Sequence, residues 1–254
     1  MKMCVLVVTV FAGIASAANY PRVDAILGEF DAHVAQMRAG FAKLPGSAED
    51  KSWVKSKLQH MVDVDQYARK ATMSPGGAVS SPEEFAELMG QVSRRAMEVD
   101  ARNTRELKLL IEKYGWFTIR EFDAAADRNA WLLVQHADAD PEFQKRVLKV
   151  LEPLVKSGGT SPRNFAYLFD RVAVSVQNAE GRKVQRFGTQ GQCSGPGTWD
   201  PHPVEDPAKL DERRREVGLE PLAEYQRAFK DICKESIEET LRKLGGATGP
   251  KVTP

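Results

Sequence analysis

Apolar residues recur three and four positions apart along most of the chain, which is the period of amphipathic α-helices. A first stripe of this kind predicts one helix over residues 22–44, and it consists of Val23, Ile26, Leu27, Phe30, Val34, Met37 and Phe41. A second stripe, Val54, Leu58 and Met61, predicts a helix over about residues 50–71. The turn-forming run Pro45-Gly46-Ser47 ends the first helix.

The third predicted helix has start and stop signals at both ends. Ser81 is placed to cap it, Pro82 stands at its first position and Glu84 follows three residues after the cap. This is the pattern of a capping box. The apolar stripe then runs to Tyr114, and Gly115 is expected to end the helix.

Further helices are predicted over residues 119–138, 141–157, 162–171, 207–217 and 220–244. Asp140 is the expected N-cap of the helix that begins at Pro141. The fold class that follows is mostly α: a multi-helix, bundle-like domain over residues 18–244, with a flexible tail over residues 245–254.

One change of period interrupts this helical pattern. Val172, Val174 and Val176 alternate with other residues, a turn-like segment follows at residues 178–181, and residues 184–187 can pair back. Alternation of this kind predicts a β-hairpin, the only strand pair expected here. Residues 191–207, which are rich in proline and glycine, are predicted to form a loop.

The first 17 residues have the pattern of a signal peptide. Lys2 precedes an apolar run from Cys4 to Ile14, and Ala15-Ser16-Ala17 supplies small residues for cleavage before Ala18. A membrane anchor is the alternative, but the run is well short of the roughly 20 apolar residues that a span needs. We therefore expect a secreted or periplasmic protein with no stable membrane insertion after processing.

Cleavage at this position leaves two cysteines, Cys193 and Cys233. An oxidising compartment permits one disulfide between them, but a single pair carries no spacing signature. One disulfide and two separate thiols are both compatible with the sequence.

Charge excludes one class of partner. The chain has 36 lysines and arginines and 35 aspartates and glutamates, and the leader holds one of the lysines. A nucleic-acid-binding surface needs an excess of basic residues on one face, so no nucleic-acid partner is expected. The basic run Arg213-Arg214-Arg215 is predicted to be a solvated face.

Polar residues interrupt the apolar stripes of two helices. Asp65 takes an inward position after Met61, and Asn103 stands where the third stripe should continue. A buried polar group without a partner costs several kcal/mol, so such residues must find one another or other partners. Asp65 with Arg69 could also be a helix-surface pair, and Asn103 could be a structural amide.

The fourth and sixth predicted helices carry more polar residues beside bulky apolar ones. Gln135 and His136 are flanked by Trp131 and Leu132, which suggests that this helix is covered on both sides. The sixth helix brings Tyr167, Asp170 and Arg171. We expect Asp65, Asn103, Gln135 or His136, and Asp170 to converge on one cavity, with Gln185 or Gln190 at its edge.

Together these motifs resemble a bacterial family known as domain of unknown function 6624. The resemblance covers about residues 58–225, and Phe187 departs from it where a tyrosine is expected. Because the hydroxyl is lost there, we do not expect that position to be an essential acid or base. The family implies no particular activity. The matching residues are Asp65-Gln66, Arg69, Asp100, Asn103, Gly115-Trp116, Trp131, the run Gln135 to Asp138, Tyr167-Leu168, Asp170-Arg171, Gln185, the run Phe187 to Gln190, Arg213 to Leu219, and Leu222 to Tyr225.

The residues lead to a hypothesis of hydrolytic chemistry on a polar small molecule or peptide. His136 would act as general acid or base, with Asp65 or Asp170 orienting it and Arg171 anchoring an anionic group. Asp138 completes the candidate catalytic set. The candidate binding residues are Gln66, Arg69, Asn103, Gln135, Tyr167, Arg171, Gln185 and Gln190. A non-catalytic binding module and a purely structural polar network are the alternatives.

Cofactor and metal motifs are absent from the sequence. His136-Ala137-Asp138 is not a recognised metal spacing, and neither a His-Glu-x-x-His nor a Glu-x-x-His motif occurs. A metal centre would have to be assembled from Asp65, His136 and Asp170. A Gly-x-Ser-x-Gly motif and a phosphate-binding loop are also missing. No cofactor and no metal are therefore predicted, and the oligomeric state stays open.

Overall fold

A computed structural model describes residues 20–73, 79–175 and 184–233. Within these ranges the chain is mostly α-helical with one antiparallel hairpin, which confirms the predicted fold class. The predicted leader and tail lie outside the described residues. The elements are α1 (Pro21–Ala42), α2 (Lys51–Met73), α3 (Pro82–Tyr114), α4 (Ala124–Gln135), α5 (Pro141–Lys156), α6 (Pro162–Ser175), β1 (Gly191–Gly195), β2 (Thr198–Pro201), a 3-10 turn (Pro207–Lys209), α7 (Leu210–Glu216) and α8 (Leu222–Ala228).

The largest apolar cluster lies where α2 to α6 meet. Leu58, Leu107, Leu133, Leu151 and Leu168 each contribute from a different helix, and all are almost fully buried. A separate cluster packs α1 against α2 and α3 through residues such as Phe30, Val64 and Val99. Helix α2 therefore contacts α1 on one side and α4 on the other, which makes it the centre of the bundle.

The helix ends follow the predicted capping chemistry. The Ser81 hydroxyl accepts a hydrogen bond from the Glu84 N–H at 3.1 Å, and Gly115 ends α3 with φ of 68°. Asp140 accepts from the Phe143 N–H at 3.0 Å and so caps α5. Helix α4 is shorter than predicted because Asp123 caps it, accepting from the Ala126 N–H at 2.8 Å. Residues 119–123 are consequently a turn, not helix.

The hairpin prediction was wrong in position. Helix α6 continues through Val172 and Val174 to Ser175, and Gln185 makes only an isolated bridge with Val204. Valines spaced by two also fit a buried helix, since a short apolar run does not distinguish strand from helix. Val172 is 8% exposed and packs in the main core.

The strand pair lies instead in the segment predicted to be a loop. β1 and β2 pair antiparallel, with Gln192 opposite Asp200 and Cys193 opposite Trp199. Pro196-Gly197 forms the turn, and Gly197 has φ of 69°, which suits a Pro-Gly turn. A Cβ on Gly191 would meet the Asp200 carbonyl oxygen at 2.2 Å, so this strand needs glycine at its start.

A disulfide joins Cys193 of the hairpin to Cys233, with the two Cα atoms 5.5 Å apart. Of the two possibilities that the sequence left open, the structure therefore selects the bridge. Cys233 follows α8 and is buried beside Trp199 and Tyr225. The bridge fixes the hairpin to the C-terminal part of the described chain.

The prediction that Arg213-Arg214-Arg215 forms a solvated basic face was wrong for Arg214. Its side chain is fully buried, and it donates from Nε to the Glu220 carbonyl and from Nη1 to the Phe187 carbonyl, both at 2.6 Å. A guanidinium supplies several donors in a fixed geometry, which suits loop carbonyls that have no other partner. Only its neighbour Arg215 is exposed as predicted, while Arg213 is half-buried.

No helix among the described residues is both long enough and apolar enough to cross a membrane.

Candidate functional site

The centre of the candidate site is a carboxylate–imidazole pair between α2 and the end of α4. His136 follows the last residue of α4, and its Nδ1 lies 2.8 and 3.0 Å from the two Asp65 carboxylate oxygens. The side chain of Asp65 is 1% exposed and that of His136 is 18% exposed. This contact explains why Asp65 takes an inward position on α2, because the buried carboxylate has a ring nitrogen as its partner.

Three polar residues surround this pair. Arg69, one turn after Asp65 on α2, donates from Nη2 to the Asp100 carboxylate at 2.6 Å, and its Nε lies 3.8 Å from Asp65 Oδ1. Gln66 donates from Nε2 to Asp65 Oδ2 at 2.7 Å. Asp100 belongs to α3, so the centre ties three helices together.

Burial raises the pKa of Asp100 to about 6. The Arg69 guanidinium opposes this rise, the Asp65 carboxylate adds to it, and His136 opposes it. Two carboxyl groups that share one partly buried site cannot both ionise easily. Asp100 therefore changes its charge near pH 6, next to the imidazole.

The raised pKa of Asp100 predicts a pH-dependent contribution to stability. The native state holds the Asp100 proton more tightly than the unfolded chain does, so this contribution is full below pH 3.8, where an ordinary aspartate titrates, and is lost as pH rises to about 6. Asp100→Asn should remove this pH-dependent loss of stability. In urea unfolding between pH 4 and 7, the free energy of unfolding of the variant should rise relative to that of the wild type up to about pH 6. Above that pH the difference between the two should stay constant.

The exposed carboxylate Asp63, on the neighbouring helix α2, provides the control. Asp63→Asn should not reproduce the change in slope. Parallel stability curves for wild type and Asp100→Asn across this range would contradict the assignment.

The same residues have part of the geometry of a metal site. One ligand atom from each of Asp65, Asp100 and His136 lies within 4.8 Å of the others, so the set could hold an ion. However, the Arg69 guanidinium already lies against both carboxylates. A divalent cation would have to displace this charge or lie beside it, and like charges at such distances repel. The arrangement therefore fits an acid–base pair better than a metal ligand set.

Asn103 and Gln135 are buried near the centre but make other contacts. Asn103 donates to the Met61 carbonyl at 3.2 Å and so links α3 to α2. Gln135 donates weakly to the Tyr167 carbonyl at 3.5 Å, and its Oε1 is buried without a hydrogen-bond partner among the described residues. The Tyr167 ring packs edge-on between Trp131 and Tyr225.

Asp138 and Arg171 form a separate surface pair. Arg171 Nη1 lies 3.6 Å from Asp138 Oδ2, and the Asp138 side chain is 59% exposed. Asp138 Oδ1 also accepts from Gln144 at 3.2 Å. Within the described chain no hydrogen bond connects Asp138 with His136, although the two residues lie close in sequence.

Asp170 holds the loop that follows α6. Its fully buried carboxylate accepts from the backbone N–H groups of Arg186, Phe187 and Thr189 at 2.8 to 3.2 Å, and from the Thr189 hydroxyl at 2.9 Å. Gln185 closes the same loop by accepting from the Gln190 N–H and donating to its carbonyl. Among the described residues, no hydrogen bond joins this loop to the Asp65–His136 pair. Phe187 lies in an apolar cluster with Ala166 and Leu219.

Two important carboxylates were not among the predicted site residues. Asp127 is buried and accepts from Trp116 Nε1 at 2.7 Å and Thr160 Oγ1 at 2.6 Å. Asp100 belongs to the centre itself. The sequence did contain a signal for Asp100, since it precedes Asn103 by about one helical turn.

The comparisons with known proteins identify a family only. A model described as "Family of unknown function (DUF6624)" matches residues 53–237. No curated protein and no solved structure matches the chain. The matched segment begins inside α2 and so contains Asp65, Asp100, His136 and Arg69, while α1 precedes it.

Proposed function

We propose that this chain, which belongs to the family of unknown function DUF6624, is a hydrolase that uses His136 as a general base on a polar small molecule or peptide. The observation that carries the proposal is the contact of His136 Nδ1 with the buried Asp65 carboxylate at 2.8 Å. A carboxylate on one ring nitrogen fixes the tautomer and the ring orientation, and it stabilises the imidazolium that forms when the other nitrogen takes a proton.

His136 Nε2 is the reactive atom in this proposal. It makes no hydrogen bond with the residues that the structure describes, and the ring is partly exposed, so a water molecule can approach it. The base takes a proton from that water while the water oxygen bonds to the substrate carbonyl carbon, and the bond from that carbon to the leaving group then breaks as the carbonyl re-forms. No nucleophilic serine or cysteine is needed for this route.

Asp100 supplies the complementary acid. Because its pKa is raised to about 6, a fraction of this carboxyl group is protonated near neutral pH and can protonate the leaving group. Pairs of titratable groups in contrasting environments typically divide the acid and base roles. Arg69 stays bonded to Asp100 and also lies 3.8 Å from Asp65 Oδ1.

The test is a comparison of single variants on a panel of chromogenic esters, amides and aminoacyl anilides. His136→Ala and Asp65→Asn should each lower kcat/KM by roughly 100-fold or more, the usual scale for a general base. Asp138→Asn is the matched control, since Asp138 lies two residues from His136 on a separate surface pair. It should stay within about threefold of wild type, a loss of less than about 1 kcal/mol.

A second readout does not depend on the substrate. An imidazole proton shared with a buried carboxylate gives a separate downfield NMR signal, which should vanish in Asp65→Asn and persist in Asp138→Asn. Equal activity in folded His136→Ala and wild type would refute the catalytic role. A ligand that binds in a His136-dependent manner without turnover would instead assign the centre to a binding module.

We also propose that the mature protein acts outside the cytoplasm. Two features support this location: the signal-peptide pattern of residues 1–17 and the Cys193–Cys233 disulfide, since such bonds persist mainly in oxidising compartments. N-terminal sequencing should show that the exported chain begins near Ala18. A soluble cytoplasmic form that retains Met1 would contradict the proposal.

A further inference from the structure

Two adjoining cavities lie along α1, on the side of α2 away from α4. The first, of about 280 Å³, is lined by the end of α1 together with α2 and α3. The second, of about 340 Å³, lies between α1 and α3. Arg38 and Arg102 line both cavities, so together they form one trough with two arginines at its middle.

The charges of this trough do not balance. Its lining holds five cationic side chains and three carboxylates, and the carboxylates are Asp31, Glu98 and Glu106. Asp31 is held by Arg95 through two hydrogen bonds of 2.9 Å. Glu106 is shared between Lys57 and Arg102. Positive charge therefore remains after these pairs are formed.

Arg38, which lines both cavities, has no partner in the described part of the chain. Its half-buried side chain makes neither an ion pair nor a hydrogen bond with any of the described residues. Burial lowers the pKa of Arg38, and the neighbouring Arg102 lowers it further, while Glu106 only partly compensates. A guanidinium in this position provides several donors suited to a carboxylate or another planar anion.

The lining of the first cavity also includes aromatic and apolar side chains, and Lys57 Nζ lies over the Phe41 ring, 5.2 Å from its centroid. Phe41 stacks on His60 with ring centroids 4.6 Å apart and planes at 12°, and the Trp53 ring lies 5.5 Å from Phe41. Met61 and Val64 also belong to this lining. Burial and the nearby Lys57 lower the pKa of His60, so its ring is neutral at neutral pH and adds no further cation.

From this combination we propose that the trough is a binding site for a small aromatic carboxylate. The flat ring would pack against Phe41, His60 and Trp53, and the carboxylate would pair with Arg38. The volume of about 280 Å³ suits a ligand of one ring with a short substituent. A simple inorganic anion would make no use of the aromatic side chains in the lining, and a neutral ring would leave Arg38 unpaired.

This site is distinct from the proposed catalytic centre. His60 and Asp65 both belong to α2, five residues and so roughly 7.5 Å apart along the helix axis. They face different neighbours, because His60 stacks on α1 and Asp65 contacts the end of α4. Helix α1 also precedes the matched family segment, so the trough combines α1 with two helices of that segment.

Calorimetric titration of the full-length mature protein with benzoate tests the proposal. Benzoate should bind, and benzamide, its neutral analogue of the same shape, should bind at least roughly tenfold more weakly because the ion pair is lost. Acetate and inorganic phosphate should also bind at least about tenfold more weakly, since neither makes use of the aromatic side chains in the lining. Benzoate affinity should fall when salt is raised from about 0.05 to about 0.5 M.

Two arginine variants locate the site. Arg38→Gln should weaken benzoate binding roughly tenfold or more, whereas Arg94→Gln, on an exposed position of α3 outside both cavities, should stay within about twofold. Arg38→Lys keeps the charge and should retain most of the binding. The melting temperature of Arg38→Gln should not fall, since no ion pair within the described chain is broken.

Each alternative outcome overturns the proposal. Equal affinities for benzoate and benzamide would show that the site does not recognise the negative charge of the ligand. An affinity for phosphate equal to that for benzoate would indicate a simple anion site. Unchanged binding in a folded Arg38→Gln variant would place the ligand elsewhere. An absence of benzoate binding to the wild type would also reject the site, and none of these results bears on the His136 assays.

Discussion

Replacing Asp170 with alanine is expected to lower the free energy of unfolding by about 4 kcal/mol, because it leaves several buried donors without an acceptor. The carboxylate accepts from three backbone N–H groups of the following loop and from the Thr189 hydroxyl, and it is 0% exposed. Burial raises the pKa of Asp170, and these hydrogen bonds oppose the rise. Urea unfolding of the variant measures the loss. Hydrogen exchange should show the loss locally, as lower protection of the backbone amides of Arg186, Phe187 and Thr189.

Asp138→Ala is the control for this loss. It removes an aspartate that is mostly exposed, so its cost should stay below about 1 kcal/mol. The result also decides between two roles for Asp170. A variant that is as stable as wild type but inactive would return Asp170 to the catalytic set that the sequence suggested.

Asp127→Ala is expected to be similarly costly, at about 4 kcal/mol, since it leaves buried side-chain donors and a backbone N–H without an acceptor. Its carboxylate accepts from Trp116, from Thr160 and, at 3.2 Å, from the Ser161 N–H. These partners precede α4 and α6, so one side chain joins two connecting segments. Thermal or urea unfolding provides the measurement.

The matched control is Asp123, four residues before Asp127. Asp123→Ala removes the N-cap of α4: the half-buried carboxylate accepts from the Ala126 N–H at 2.8 Å and also pairs with Lys55 at 3.1 Å near the surface. A lost N-cap typically costs about 1 kcal/mol. Equal losses for the two variants would mean that the core contacts of Asp127 contribute little beyond helix capping.

These two carboxylates differ from Asp65 in what they contact. Asp127 and Asp170 accept mainly from neutral donors that have no other partner. Each carboxylate therefore fixes the position of the backbone and side chains around it. Asp65 accepts from an imidazole that itself reaches solvent. Catalytic groups can often be replaced at low or even favourable cost in stability. A small stability loss in Asp65→Asn, together with a large loss of activity, would separate the two classes of residue.

Several features of this protein could be predicted from the sequence because they depend on neighbours along the chain. The period of apolar residues identified α1 to α3 and the mostly α fold, and local hydrogen bonds place the caps at Ser81 and Asp140. The inward positions of Asp65 and Asn103 also followed from helical register, and both residues are buried. Such inferences succeed because a helix positions side chains by rotation of about 100° per residue, whatever it packs against.

Other features depended on which elements meet in space, and only the tertiary structure decided them. Period alone could not show that Asp65 meets His136 while Asp138, two residues later, pairs with Arg171 at the surface. The change of backbone direction after Gln135 separates these neighbours. Likewise, Asp170 could be recognised as polar in an apolar register, but its partners lie 16 to 19 residues away on a loop.

The hairpin illustrates the same limit for the backbone. Val172 and Val174 alternate like strand residues, yet they continue α6, because burial of Val172 against the main core favours the helix. The true strands are short, β1 begins and ends with glycine, and the pair is held by the disulfide to Cys233 and by packing of Trp199 on Tyr225. Local sequence determined the helices and their caps, whereas contacts between distant residues decided the strands, the ion pairs and the site, since burial outweighs weak local preference.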